Sequence, residues 1–170
     1  MLIRPLTLQD APVYRELRLR GFKEHPDAFN SSYEEQSQEP LAAIEKRIEQ
    51  SLASPKEFFL GAFDDGGAQI GAVGVSVERR MKLQHKGWVY GMYVPLEHAG
   101  KGIGRALLTE LIGRARQSGG FDHLHLTVTA SNLRAVRLYE SVGFVAGGTE
   151  IRAIKTGGQY YDKLHMALLL

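Results

Sequence analysis

Three β-rich segments follow one another between residues 57 and 95 and imply an antiparallel meander. EFFLGAF (57–63) and AQIGAVGVSVE (68–78) flank the turn DDGG, whose Asp-Gly step suits a hairpin, and KGWVYGMYVP (86–95) adds a run rich in aromatic and β-branched residues that stops at Pro95. Ahead of the meander, LIRPL reads as a short strand. TLQDAPVYRELRLRGFKEH then reads as a helix, with Thr7 and Asp10 at capping-box spacing. HPDAFNSSYEEQSQEP is polar and turn-rich and reads as a loop, before LAAIEKRIEQSLAS regains helical period and Pro55 closes it. Behind the meander, RALLTELIGRARQSGG is an amphipathic helix stopped by Gly119 and Gly120. FDHLHLTVTA alternates Leu124, Leu126 and Val128 on one face as a strand does. SNLRAVRLYESVGF is a short helix capped by Ser131 or Asn132, and FVAGGTEI and YYDKLHMALLL finish as strands. The order β-α-α-β-β-β-α-β-α-β-β predicts an α+β fold: a mixed, mostly antiparallel seven-stranded sheet flanked by about four helices, in a single domain over 1–170.

Bulk properties remove several function classes. The formal charge is only +2 and the basic residues are scattered, so no stripe tracks a nucleic-acid backbone. Without cysteine there is no disulfide framework and no thiolate zinc site, and the six histidines lack the tight spacing of a metal cluster. His123 and His125 share a strand face but read as a surface pair rather than as ligands. No window reaches the roughly 18 apolar residues of a membrane span, so a soluble, cytoplasmic protein is expected.

The chemistry concentrates in HAGKGIGRALL (98–108), where three glycines, Lys101 and Arg105 precede an apolar run. Neither register of its glycines completes Gly-x-Gly-x-x-Gly, because the last position falls on Arg105 or Leu107. A P-loop fails too, since Lys101 is followed by Gly102. Two readings remain: a flexible turn, or a run of inward-turned backbone N–H groups at a helix start, where unpaired donors and the peptide dipoles attract an anion. Upstream, WVYGMYVP feeds the loop directly. Downstream, Asn132 opens a helix and Tyr139 lies about two turns on, on the same face.

GMYVPLEHAGKGIGRALL together with ASNLRAVRLYESVGF resembles the GNAT N-acetyltransferase superfamily, and the order of elements agrees over nearly the whole chain. The resemblance implies an α/β/α layered fold whose central strand splays from its parallel neighbour beside a bulge. It implies that acetyl-coenzyme A is the cofactor, with its pyrophosphate on the backbone of Ala99, Gly100, Lys101, Gly102, Ile103, Gly104 and Arg105. Met92, Tyr93 and Val94 would pair with the pantetheine, Asn132 and Ala135 would contact that arm, and Tyr139 would lie near the sulfur. One departure is plain: the family's pattern opens with Arg or Gln where this chain has Ala99, so a side-chain contact to phosphate is missing there, with His98 or Lys101 as the nearest substitutes.

Amine acetylation by direct attack needs a neutral amine, a polarised carbonyl and a proton for the departing thiolate. Tyr139 is the catalytic acid implied, and the backbone N–H of Met92 would polarise the carbonyl. The strand position where many relatives carry a glutamate is Trp88 here; Glu34, Glu35, Glu78 and His85 are the groups left to approach, and no base is assigned. Phe29, Tyr33, Tyr90, Tyr160 and Tyr161 are expected around a small-molecule or peptide amine acceptor, with Glu34 or Glu35 attracting its charge. The expected activity is N-acetyl transfer to a primary amine of a small molecule, amino-acid derivative or peptide. A non-catalytic acyl-coenzyme A sensor is the alternative, favoured by Ala99 and the missing glutamate. No metal, nucleic acid or membrane is expected, and a homodimer is plausible by family habit.

Overall fold

The computed structural model describes residues 1–170. The strands are β1 (Leu2–Pro5), β2 (Phe58–Phe63), β3 (Gln69–Val77), β4 (Lys86–Tyr93), β5 (His123–Thr129), β6 (Val145–Thr156) and β7 (Gln159–Leu169); the helices are α1 (Ala11–Glu24), α2 (Tyr33–Ser37), α3 (Leu41–Leu52), α4 (Ile103–Gln117) and α5 (Leu133–Glu140). All seven strands form one sheet in the order β1-β2-β3-β4-β5-β7-β6, antiparallel throughout except where β4 meets β5.

Alternation along β2 divides the interior into two layers. Phe58, Leu60 and Ala62 face one way, into a core built with Leu107, Leu108 and Leu111 of α4. Phe59 and Phe63 face the other way, against Tyr14 and Leu17 of α1 and Ile44 and Ile48 of α3. Helices therefore cover both faces of the first four strands, which is why β2 is buried along its whole length.

Three boundaries differ from those the sequence predicts. A 3-10 turn over Leu8–Asp10 precedes α1, which begins at Ala11 with Pro12 in its first turn, where a missing N–H does no harm. The expected loop at 25–40 contains the fifth helix, α2, set by a reciprocal cap: Ser32 Oγ accepts from Glu35 N–H at 3.1 Å and Glu35 Oε2 from Ser32 N–H at 2.7 Å. The β6–β7 hairpin is longer than predicted and turns at Gly157 and Gly158, both at positive φ.

The feature that positions the site is a fork in the sheet. β4 pairs with β5 only at Lys86–His123, Gly87–Leu124 and Trp88–His125, although both strands continue beyond. On the other side of β4, Gly74 lies opposite Tyr90 and Ala72 opposite Tyr93, so β4 carries one residue more than β3 over this interval. Gly91, at φ +64°, sits in that bulge. The extra residue bends β4 away from β5 and opens the sheet.

The segment after α1 is pinned across this opening by Lys163 of β7, which is 3% exposed. Its Nζ donates to Ala28 O at 2.8 Å, Thr129 Oγ1 at 3.0 Å and Asp27 O at 3.3 Å, while the Thr129 hydroxyl donates to Asp27 O at 2.6 Å. Burial lowers the lysine's pKa, and these three acceptors are its compensation.

At the other end of α1, Arg4 of β1 grips Asp10 with two bonds of 2.7 and 2.8 Å, and Asp10 also takes the Thr7 N–H and hydroxyl. Chiefly through the Arg4 bonds, the Asp10 pKa is pushed down from 3.8 to about 2. A carboxylate depressed on folding stabilises fully above its unfolded pKa and ceases to do so as pH falls through its folded one. Asp10→Asn should therefore cost about 1–2 kcal/mol at pH 7 and clearly less at pH 2, as read by urea unfolding; equal costs at both pH values would contradict this role.

Candidate active site

β4 runs out at Tyr93, and a 3-10 turn over Leu96–His98 delivers the chain to the glycine run. Gly100 and Gly102 both sit at φ +79°, where other residues are strained, and a Cβ on either would meet nothing within 4 Å. The backbone conformation, not crowding, requires these two glycines, and the space over them is open. Gly104 differs, because an added Cβ would come to 3.0 Å from Leu138 Cδ2 and Met92 Cε, so here glycine lets α4 approach its neighbours. The first helical bond of α4 is Ala106 N–H to Gly102 O at 3.0 Å; none of the amides from Gly100 to Arg105 donates to a backbone carbonyl. The helix thus starts inside the glycine run, earlier than the apolar period alone suggests.

A cavity of about 390 Å³ lies against this loop. Of the residues the sequence singled out for the cofactor, Met92, Tyr93, Val94, Ala99, Gly100, Gly102, Ile103, Gly104, Arg105, Asn132 and Ala135 all line it. Lys101 is exposed and does not, whereas Arg134, which the sequence did not single out, does. The Tyr93 side chain turns away to α1, where its hydroxyl donates to Glu24 Oε2 at 2.6 Å, so its backbone is what it offers to the cavity.

A second cavity, of about 240 Å³, fills the fork between β4 and β5 and shares Ala28, Phe29, Met92, Asn132 and Ala135 with the first. Asn132 caps α5, its Oδ1 accepting from Ala135 N–H at 3.1 Å. Tyr139 reaches the same cavity two turns later. Tyr139 is 8% exposed, and burial pushes its pKa up to about 12, which keeps the phenol protonated through the neutral range.

A third cavity continues outward along Trp88, Tyr90 and Thr127 to the β6–β7 hairpin, where His165 Nε2 and Glu150 Oε2 are 3.2 Å apart. The three spaces form a track from the glycine loop, through the fork, to the surface.

The remaining candidates separate cleanly. Phe29 and Tyr90 line the fork, but Tyr33 and Tyr160 do not line any of these cavities. Tyr33 projects outward from α2 with Lys23 Nζ 6.0 Å from its ring, and Tyr160 lies between Arg152 and Lys155 on the exposed hairpin, 5.1 and 5.0 Å from their charged groups. Tyr161 donates to Gln159 at 3.0 Å and is likewise outside. None of Glu34, Glu35, Glu78 and His85 lines the track: Glu35 is spent on its cap, Glu78 accepts from Arg79 N–H at 3.1 Å, and His85 lies against His123 with ring centroids 5.1 Å apart.

His123 and His125 are half-buried rather than a surface pair, their rings 4.6 Å apart and each Nε2 buried without a partner; burial lowers both pKa values. No group of three or more His, Asp or Glu side chains is placed to hold a metal ion, and no helix is long and apolar enough to cross a membrane.

Besides Arg134, residues not anticipated from sequence include Arg18, Asn30, Glu150, Lys163 and His165. Arg18 carried a signal: it falls four residues after Tyr14 and four before Phe22, inside the apolar stripe of α1. Glu150 and His165 meet only through the register of β6 on β7, which no local pattern reveals.

Residues 20–144 match the model of the acetyltransferase (GNAT) family. Over 156 residues the chain is 31% identical to a mycothiol acetyltransferase of Nocardiopsis dassonvillei, which covers 88% of this chain but 44% of that protein. The chain thus spans less than half the length of that relative. It is 37% identical over 108 residues to the N-alpha-acetyltransferase RimI of Mycobacterium tuberculosis, covering 63% of this chain and 64% of RimI. The solved structure of a GNAT-family acetyltransferase from Streptococcus pneumoniae superposes with a TM-score of 0.92 at 27% identity, covering 99% of both chains. A family match across most of the chain, on a seven-stranded forked sheet with a glycine-led helix beside the fork, establishes that this protein belongs to the GNAT acetyltransferase family, whose cofactor is acetyl-coenzyme A.

Proposed function

We propose that this protein is an acetyl-coenzyme A dependent N-acetyltransferase acting by direct attack of a primary amine, borne by a small molecule, an amino-acid derivative or a peptide. The observation that carries this reading is that two cavities adjoin: the one at the glycine loop and the one in the fork share Met92, Asn132 and Ala135 as walls, and Tyr139 lines the second.

The residues present fit coenzyme A. The amides of Gly100 to Arg105 lack backbone acceptors, the space above Gly100 and Gly102 is open, and His98, Arg105 and Arg134 add side-chain donors around them. Beyond Trp88 the side of β4 that faced β5 has no strand partner, so the main chain at Met92 is free to pair with an extended amide-containing arm. When bound, acetyl-coenzyme A supplies an activated acyl group, the amine nitrogen forming its C–N bond as the C–S bond breaks. The Met92 N–H would steady the carbonyl oxygen, and the Tyr139 phenol would give its proton to the departing sulfur and regain one from water before the next turnover. No carboxylate lines the fork, so the proton the amine sheds passes to water along the open track.

Release of free thiol from acetyl-coenzyme A in the presence of a panel of amines tests the reaction, because a sensor would bind the cofactor without consuming it. Tyr139→Phe should lower turnover roughly 10- to 1,000-fold with little effect on cofactor affinity; unchanged turnover would remove the phenol from the mechanism. Ala99→Arg, which adds a phosphate-reaching guanidinium where the loop has only backbone, should tighten acetyl-coenzyme A by about 3- to 10-fold in calorimetry. No change or weaker binding would contradict the placement of the pyrophosphate.

A further inference from the structure

The cavity in the fork has an unbalanced charge. Its lining contains one cation, Arg18, and no carboxylate. Arg18 is half-buried on α1 and forms no ion pair; a single bond of 3.2 Å from its Nη2 to Gln36 Oε1 is the only hydrogen bond of its side chain. Its guanidinium stands 5.2 Å from the Phe22 ring centroid and 5.8 Å from that of Tyr14, the two neighbours of its own helical stripe. A guanidinium held against apolar rings has lost part of its hydration, so a planar anion that supplies paired acceptors is its natural partner. The other arginines of this stretch of α1 lie outside the cavity: Arg15 donates from Nη2 to the carbonyl oxygens of Ser37 and Glu39, its Nε buried without a partner, and Arg20 pairs with Glu24 and Glu97.

The neighbouring groups suit the same occupant. Asn30, Ser31 and Tyr90 share the cavity with Arg18 and offer neutral polar contacts around an anion, while Phe22, Phe29 and Met92 supply apolar wall. The buried cation next door, Lys163, is consumed by its three acceptors and does not compete. The acids that would attract a purely cationic amine are elsewhere, Glu34 and Glu35 on α2 and Glu150 already beside His165 at the mouth. At about 240 Å³ the fork around Arg18 fits the amine and carboxylate of a compact acceptor, and an apolar side chain has room toward the outer cavity.

We infer that the acceptor is a compact amine that also carries a carboxylate, an amino acid with an apolar side chain, and that Arg18 is the specificity-determining residue that receives the carboxylate. This inference rests on the N-acetyltransferase reading, but it concerns the acceptor alone.

The test compares leucine and phenylalanine with their amides, with the corresponding amines lacking the carboxylate, and with spermidine, by thiol release from acetyl-coenzyme A. The free amino acids should exceed their carboxylate-free analogues in kcat/KM by about 100-fold or more, as expected when a charged hydrogen-bonding partner is removed. Arg18→Gln should shrink that ratio by about tenfold or more, chiefly through KM, and Arg18→Lys should restore part of it. Equal use of analogues lacking the carboxylate, preference for spermidine, or an Arg18→Gln ratio equal to that of the wild type would overturn the inference. Calorimetry of leucine and phenylalanine with the coenzyme A-loaded protein separates the two readings. Uptake that Arg18→Gln abolishes, without thiol release, would retain the carboxylate site and sink the reaction. Thiol release only with carboxylate-free amines would do the reverse, and neither uptake nor turnover of any amino acid would overturn the site.

Discussion

One additional residue in β4 governs the geometry of this molecule. A parallel pair of strands in the middle of a sheet would ordinarily satisfy each other's backbone along their length, and β4 and β5 begin that way at Lys86–His123. The bulge at Gly91, with its positive φ, makes β4 one residue longer than β3 and turns it out of the ladder. Main-chain groups that would have been internal to the sheet face a cavity instead. The same bend aims the end of β4 toward the glycine run, so the loop and the fork are two consequences of one irregularity.

Around this opening the rest of the structure supplies support. Helices on both faces bury β2 along its whole length and most of β3, giving the bulge a packed frame against which to bend. Lys163 fixes the 27–28 segment across the sheet by two bonds and joins it to β5 by a third, to Thr129, so Phe29 and Asn30 become walls rather than a free loop. Gly104 lets α4 approach Leu138 and Met92 closely, joining the amide-rich helix start to both β4 and α5. Charge is distributed by region: unpaired amides and cations at the loop, a protonated phenol at the junction, and a single arginine in the fork.

Much of this was legible in the sequence because its causes are local. Alternation and turn chemistry mark the meander, the glycines before an apolar period mark the helix start, and the seven-residue spacing from Asn132 to Tyr139 places both on one face. What escaped depends on contacts between distant segments. The α2 helix is only five residues long and is held by a reciprocal cap inside a polar stretch that otherwise reads as loop. Tyr33 and Tyr160 belong to the predicted loops, yet the direction in which those loops present them is set by tertiary packing, and both side chains lie outside the track. His123 and His125 read as a surface pair because nothing in their own segment announces the cover provided by His85 and Trp88. Arg18 was visible as a cation inside an apolar stripe, but its meaning required knowing that the stripe borders an acid-free cavity.

The central claim is that a strand freed from its neighbour and a helix start with unspent amides together form one coenzyme-binding surface. Backbone amide NMR during titration with coenzyme A addresses it residue by residue. The account predicts that the largest shift changes fall on Met92 and on Gly100 through Arg105, with Asn132 moving in step. Saturable changes confined to other surfaces, or no change at those amides at full occupancy, would contradict it.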